Sequence, residues 1–267
     1  MMTSKAQIIA TIGPASASRE ILFAMAQHGM DIVRFNFSWS DIATRTEQVA
    51  LIRSVADEVG RTIPIIADLP GPRVQIGDTH TYKHDAESCI TEEDKKFIRF
   101  AVEHKLEWVA LSFVSTAENI ICAREIIHEY GGTQKIIAKI ERKQALDTID
   151  SIIAVADGVM AARGDLGNEI PLEEIPFVQR TIIEKCKQAG KPVITATEML
   201  LSMTEKDTPT RAELTDVSQA ILEGSDAVML SEETARGKFP VESVTMMERL
   251  VLEAEKHMEG KLHINKF

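Results

Sequence analysis

The chain has 267 residues, 44% of them hydrophobic and 27% charged, ordinary globular usage that excludes wholesale disorder and fibrous repeats. Basic residues number 30 against 41 acidic ones, a net charge of −11, which is a poor match for a nucleic-acid backbone. No apolar run approaches the roughly 18 residues of a membrane helix, and Met1–Ala6 carries no signal-peptide pattern.

Three widely spaced cysteines, Cys89, Cys122 and Cys186, make neither a disulfide framework nor a zinc pair. Each reads as a small core residue or a bystander, and a reduced cytoplasmic setting is the expectation. The length fits either two domains or one α/β barrel of roughly 250 residues.

Short β-rich apolar runs alternate with longer segments of helical period. The first run, Gln7–Ile12, ends at Gly13-Pro14 and is followed by a helix over Ser18–His28, with Ser18 as cap and Gly29 as stop. The second is Asp31–Phe37, with a helix over Ile42–Val59 that ends at Gly60. The third is Ile63–Asp68, broken by Pro70-Gly71-Pro72, after which residues 73–90 read as loop or irregular hairpin. Thr91 caps the next helix with Asp94 at the capping-box position.

The fourth run is Trp108–Phe113, with a helix over Ala117–Tyr130, and the fifth is Lys135–Ile140, with a helix over Gln144–Val155. The sixth, Gly158–Ala162, leads through Gly164 and Gly167 to a helix over Leu172–Ala189. The seventh is Pro192–Ala196, with a helix over Arg211–Glu223; the eighth is Asp226–Leu230, with a helix from Val241 to His257.

Eight alternating units predict parallel strands with crossover helices. An open doubly wound sheet would carry a G-x-G-x-x-G turn after its first strand, and Gly13-Pro14-Ala15-Ser16 does not match. The pattern therefore predicts an α/β fold, a single (β/α)8 TIM barrel over 1–267, with its chemistry at the strand C-termini.

Polar residues gather at those ends. They are Arg34, Asn36 and Ser38 on strand two, Asp68 on three, Ser112 on four, Lys139 and Glu141 on five, Asp165 after six, Thr197 after seven and Ser231-Glu232-Glu233 after eight. Period two puts Lys139 and Glu141 on one side of their strand. Lys139 sits inside the apolar run Lys135–Ile140, and an ammonium buried there requires partners or a function.

Glu141 and Asp165 come from adjacent units and supply two hard carboxylates, the donor type that suits Mg²⁺ or Mn²⁺. The glycines beside Asp165 could present backbone N–H groups to an anion. Lysine, divalent metal and anion cradle together suit an enolate, a phosphoryl group or both. Ser112 is a further candidate substrate contact.

Several ordered motifs resemble the pyruvate kinase family. They are Ala10-Thr11-Ile12-Gly13-Pro14-Ala15-Ser16, Val33-Arg34-Phe35-Asn36-Phe37-Ser38, Ile137-Ala138-Lys139-Ile140-Glu141 and Ala162-Arg163-Gly164-Asp165-Leu166-Gly167. Lys191 to Leu200, Pro209-Thr210-Arg211-Ala212-Glu213 and Asp226 to Ser231 continue the match.

The resemblance implies that Glu141 and Asp165 bind the divalent metal and that Lys139 stabilises the transferring phosphoryl group and the enolate. It implies that Gly164, Asp165 and Thr197 hold the substrate carboxylate, with Thr197 also on the route that protonates the enolate. Arg34 would contact phosphate, and Asn36, Ser38 and Asp68 match side-chain ligands of a monovalent cation, K⁺. Homo-oligomers assembled through barrel helices are implied as well.

Departures are also legible. Residues 69–90 stand where the family inserts a lid domain, and no counterpart of the family's C-terminal domain follows His257. The family's Asp-Thr-Lys-Gly-Pro-Glu-Ile-Arg is here Asp68-Leu69-Pro70-Gly71-Pro72-Arg73-Val74-Gln75. Arg73 replaces an acid and could stand in for the monovalent cation; Gln75 replaces an arginine. Trp39, Ser40 and Glu232 replace a histidine and two glycines.

The losses fall on the nucleotide side. The side that would bind metal and enolate is intact, and one expectation remains phosphoryl transfer between phosphoenolpyruvate and ADP. The alternative is another metal-dependent enolate enzyme: a decarboxylase, an aldolase-type lyase or a phosphoenolpyruvate hydrolase. A non-catalytic phosphoenolpyruvate sensor is the lesser alternative.

Overall fold

The computed structural model describes residues 4–39, 41–76, 79–82, 90–258 and 264–267, with the backbone alone for 74–76 and 79–82. Cys89 and Ser40 lie outside the described residues, as does the side chain of Gln75. In chain order the elements begin β1 (Gln7–Thr11), α1 (Arg19–Gln27), β2 (Met30–Asn36), α2 (Ile42–Val59) and β3 (Ile65–Asp68). A hairpin of β4 (Arg73–Ile76) and β5 (Thr79–Tyr82) follows, then α3 (Glu92–Glu103), β6 (Trp108–Leu111), α4 (Ala117–Glu129) and β7 (Lys135–Ile140). Next come α5 (Lys143–Asp147), α6 (Ile149–Val155), β8 (Gly158–Ala162), α7 (Arg163–Leu166) and α8 (Ile175–Gln188). The chain continues through β9 (Val193–Ala196), α9 (Arg211–Glu223), β10 (Ala227–Leu230), α10 (Glu232–Ala235) and α11 (Pro240–Lys256).

Eight of the strands close into a barrel in the order β1-β10-β9-β8-β7-β6-β3-β2, and every pairing is parallel. The predicted (β/α)8 barrel is what forms. The remaining two strands pair antiparallel on their own, Arg73 opposite Tyr82, so the segment between β3 and α3 contains the irregular hairpin.

Two apolar layers hold the barrel. Inside it, Ile9, Ile32, Ile66, Ile137, Met160 and Ile194 belong to one buried cluster. A larger cluster fills the space between strands and helices, where the other strand face meets the apolar stripe of each helix. At the strand N-termini the ring of Phe267 lies 5.1 Å from that of Trp108, and its N–H donates to Gln7 Oε1 at 2.9 Å. A Cβ at Gly158 would come within 2.8 Å of the Phe267 ring, so the small residue makes room for this plug. The end of the barrel opposite the candidate site is thereby closed.

Local chemistry explains the element ends. Ser18 accepts from Ile21 N–H at the start of α1, and Gly60 takes φ 70° after α2, a left-handed stop that glycine adopts without a Cβ penalty. Thr91 and Asp94 form the reciprocal box at α3. Three expectations change. The helix over Gln144–Val155 is broken at Thr148 into α5 and α6. The fourth strand stops at Leu111 because Phe113 turns to φ 56°. Short helices α7 and α10 form directly after β8 and β10, ahead of the longer helices expected there. Cys122 is exposed and Cys186 buried, both unbridged; burial pushes the Cys186 thiol up to about 12. Among the described residues no helix is long and apolar enough to cross a membrane.

Ile137 is fully buried in the inner layer. Ile137→Ala should lower unfolding free energy by about 2–5 kcal/mol through lost transfer energy and an unfilled cavity. Ile121→Ala, at a site 45% exposed, should stay within about 0.5 kcal/mol of the parent. Urea unfolding midpoints of the two variants check the contrast.

Candidate active site

Parallel closure puts the C-terminal ends of all eight barrel strands on one rim, and the polar residues singled out above meet there. The centre is a buried chain of alternating charge. Asp68 at the end of β3 accepts from Arg34 Nε at 2.6 Å and from Lys139 Nζ at 2.9 Å. Lys139 Nζ also donates to Ser112 Oγ at 2.7 Å and sits 2.9 Å from Glu141 Oε1. Arg34 reaches on to Thr11 Oγ1 at 3.0 Å, and Thr11 donates to the Leu230 carbonyl. The chain thus runs from β1 through β2, β3 and β7, and Arg34, Asp68, Lys139 and Glu141 are all buried.

Lys139 and Glu141 do share one face of β7, as period two requires. Burial works against the Lys139 ammonium, but Asp68 and Glu141 more than offset it and its pKa ends above the ordinary value. Burial likewise raises Asp68, yet Arg34 and Lys139 outweigh it and the net shift is downward. Glu141 goes the other way. Burial raises it and the charge of Asp165 adds to that, against the opposing pull of Lys139. Its Oε2 accepts from Phe113 N–H at 2.7 Å, while Oε1 meets the Lys139 ammonium at 2.9 Å and, among the described residues, no other donor. A buried carboxylate oxygen left in this state, next to a second carboxylate, is a donor set that a divalent cation would satisfy.

Local backbone strain supports the same rim. The non-glycine residues Phe113, Thr197 and Glu198 adopt φ of 56°, 71° and 54°, each costing on the order of 1–3 kcal/mol. The Phe113 turn aims its N–H at Glu141. Opposite it, Gly71 has φ 65° and a Cβ there would lie 3.0 Å from the Phe113 ring, so this glycine is required by both conformation and space. Gly71 N–H donates to Asp94 Oδ1 at 3.0 Å. The α3 cap therefore also anchors the loop after Asp68.

The remaining candidates are placed as follows. Asp165 lies in α7, directly after β8, and β8 is the neighbour of β7. Gly164 N–H, an expected anion donor, donates to Thr197 Oγ1 at 2.8 Å, so substrate would compete with Thr197 for that amide. Asn36 Oδ1 accepts from Ser38 N–H at 3.0 Å, and Ser38 Oγ is buried without a hydrogen-bond partner. Both oxygens of Asp68 are already engaged by cations. Arg73 is half-buried, and its Nε has no partner. Among the described residues no ion pair or hydrogen bond joins Arg73 to Asn36, Ser38 or Asp68.

Sequence reasoning missed three groups. Thr11 completes the hold on Arg34. Arg45, on α2, is 3% exposed and lies over the Phe35 ring at 4.6 Å; it donates to the carbonyls of Ile12 and Asn36. Burial, followed by repulsion from Arg34, lowers its pKa to about 10. Arg163 pairs with Asp216, on α9, at 2.6 and 2.7 Å. Amphipathic period marked the Asp216 helix, but nothing in it pointed to this one acid.

Barrel closure and a buried lysine–carboxylate array at the strand C-termini define a (β/α)8-barrel enzyme. A family model described as "Pyruvate kinase, barrel domain" matches residues 3–89 and 83–244. The chain belongs to the pyruvate kinase family. It is 34% identical to the pyruvate kinase of Thermococcus litoralis, across 96% of this chain and 71% of the relative. The Agrobacterium vitis enzyme is 36% identical, across 95% and 70%, and that of Clostridium perfringens 34%, across 96% and 71%. The T. litoralis alignment spans 336 positions against 267 residues here. These relatives favour a phosphotransferase and lend no support to the lyase alternative.

Asp68 neutralises two buried cations, and its removal would leave Arg34 without its carboxylate and Lys139 with Glu141 as its remaining counter-charge. Asp68→Ala should destabilise the fold by about 3–5 kcal/mol, well beyond an exposed-pair variant such as Glu253→Ala. Chemical unfolding at neutral pH gives the comparison.

Proposed function

We propose that the chain transfers a phosphoryl group between phosphoenolpyruvate and ADP with a divalent cation, Mg²⁺ or Mn²⁺, at Glu141 and Asp165. The observation that carries this reading is Glu141, buried with Oε1 against the Lys139 ammonium and repelled by Asp165, in a chain of this family. A cation bound there would neutralise charge on the phosphoryl and enolate oxygens. Lys139, kept protonated by Asp68 and Glu141, offers a fixed ammonium to the same developing charge. Arg34, aligned by Asp68 and Thr11, would offer its guanidinium to phosphate. Thr197, held above Gly164, stands on the proton route to the enolate carbon.

The two-part family match, which breaks around residues 83–89, supports the reading that 69–90 replaces a lid domain. A closed lid excludes water from phosphoryl transfer, so hydrolysis is the reaction that would compete here. Homo-oligomers and a cytoplasmic setting belong to the same proposal and rest on kinship.

The test supplies phosphoenolpyruvate, Mg²⁺ and ADP and follows pyruvate. Pyruvate that requires ADP and matches ATP mole for mole supports the kinase; equal pyruvate without ADP sinks it. Lys139→Met should cut turnover by at least about 10²-fold while Mn²⁺ binding, read by electron paramagnetic resonance, persists. Unchanged turnover would refute the role. If Arg73 supplies the charge of the monovalent cation, activity should proceed without added K⁺, and a strict K⁺ requirement would contradict that assignment.

A further inference from the structure

Thr197 is a β-branched residue with φ 71°, a conformation that survives only where surrounding contacts impose it. The contacts come mainly from one side chain. Arg163 Nε donates to the Ala196 carbonyl at 3.3 Å, and Nη2 donates to the Thr197 carbonyl at 2.7 Å and contacts Met199 Sδ at 3.0 Å. Nη1 donates to Gln179 Oε1 at 3.1 Å. The fork of Nη1 and Nη2 closes on Asp216 at 2.6 and 2.7 Å. Both nitrogens of the fork and Nε are thus engaged, and the two carbonyls they hold bracket the strained residue.

We propose that Arg163 and Asp216 form a positioning clamp that sets Thr197 for its part in the reaction. The clamp rests on the proposed role of Thr197 at the enolate. Neither residue touches substrate; Arg163 acts through the backbone at 196 and 197, and Asp216 acts by fixing the plane of the guanidinium. Lysine cannot replace Arg163, because an ammonium has no planar fork and cannot span an acid on α9 and the two consecutive carbonyls at the end of β9. Released from the clamp, the turn relaxes toward negative φ. Thr197 Oγ1 then leaves Gly164 N–H, which it now meets at 2.8 Å, and the hydroxyl is displaced from the proton route. Misplacement by about 1 Å can cost about 10²-fold in rate.

Two measurements on Arg163→Lys, Asp216→Asn, Thr197→Ala and the double variant Arg163→Lys/Thr197→Ala decide the matter. The first needs no substrate: hydrogen exchange of the backbone amides at 164 and 196–200, followed by mass spectrometry. Exchange about 10-fold faster in the clamp variants, with the amides of α2 unchanged, is the expected result; wild-type exchange at 196–200 overturns the clamp. The second is exchange of the methyl protons of pyruvate in D₂O with Mg²⁺, read by nuclear magnetic resonance. Arg163→Lys should slow it by about 10²-fold, and the double variant should be no slower than the slower single one. Losses that multiply would show that Arg163 acts independently of Thr197 and overturn the proposal. A wild type that does not exchange pyruvate protons speaks against the functional reading, and amide exchange still decides the clamp. Should Arg163→Lys fail to fold, Asp216→Asn, which leaves the guanidinium in place, carries both readouts.

Discussion

Lys139 must stay charged inside a closed barrel, and the arrangement of the rim follows from that demand. An isolated ammonium in this interior would lose its proton rather than bear the desolvation cost. Asp68 prevents this, but one carboxylate cannot serve Lys139 alone, because Arg34 binds its other oxygen. The result is an alternating row, Arg34, Asp68, Lys139, Glu141, which joins the neighbouring strands β2 and β3 to β7, far along the sequence. Arg34, Asp68 and Lys139 are each held by a charge on another strand, so the row exists only when the barrel is closed. Folding and assembly of the site are therefore one event.

Rigidity at the row has to be supplied by the loops that follow the strands. These loops carry the positive-φ residues Phe113, Thr197 and Glu198, and each is tied back to the scaffold. The Phe113 N–H is spent on Glu141, Gly71 gives the Phe113 ring its room, and Asp94 holds Gly71 from the end of α3. On the far side Glu233, buried and without an ion pair among the described residues, accepts from Leu200 N–H and Ser231 N–H. Burial raises its carboxyl, yet it joins the loops after β9 and β10. Backbone strain of this kind persists because several contacts over-determine it.

What could be read from sequence follows from the range of each interaction. Strands β7 and β8 and helices α2 and α9 show in hydrophobic period and cap residues, which are local. The pairing of Lys139 with Glu141 shows because both lie on one strand. The tie from Lys139 to Asp68 spans 71 residues and that from Arg163 to Asp216 spans 53; no local pattern encodes either. The break at Thr148 was hidden for a different reason. Its hydroxyl donates to the Ser115 carbonyl at 2.7 Å, a tertiary contact that interrupts a segment whose apolar spacing is continuous. Arg45 gives no signal in the sequence because an arginine four residues into a helix usually faces water, whereas here Phe35 and two strand-end carbonyls receive it.

Arg45 also changes how the charge at this corner is to be understood. Among the described residues it forms no ion pair, and its nearest cationic neighbour of consequence is Arg34. Two guanidinium groups thus stand near the ends of β1 and β2, and only one of them has a carboxylate. In the proposed reading this uncompensated charge disfavours a further small cation near Asn36 and Ser38 and favours an anion. Arg73, on the neighbouring loop, adds a third arginine with a buried, unpartnered Nε. In the proposed reading, positive charge that a monovalent ion would bring is instead built into the chain. An anionic phosphate arriving at Arg34 would relieve the repulsion that Arg45 now feels, so binding and electrostatic relief at this corner would favour each other.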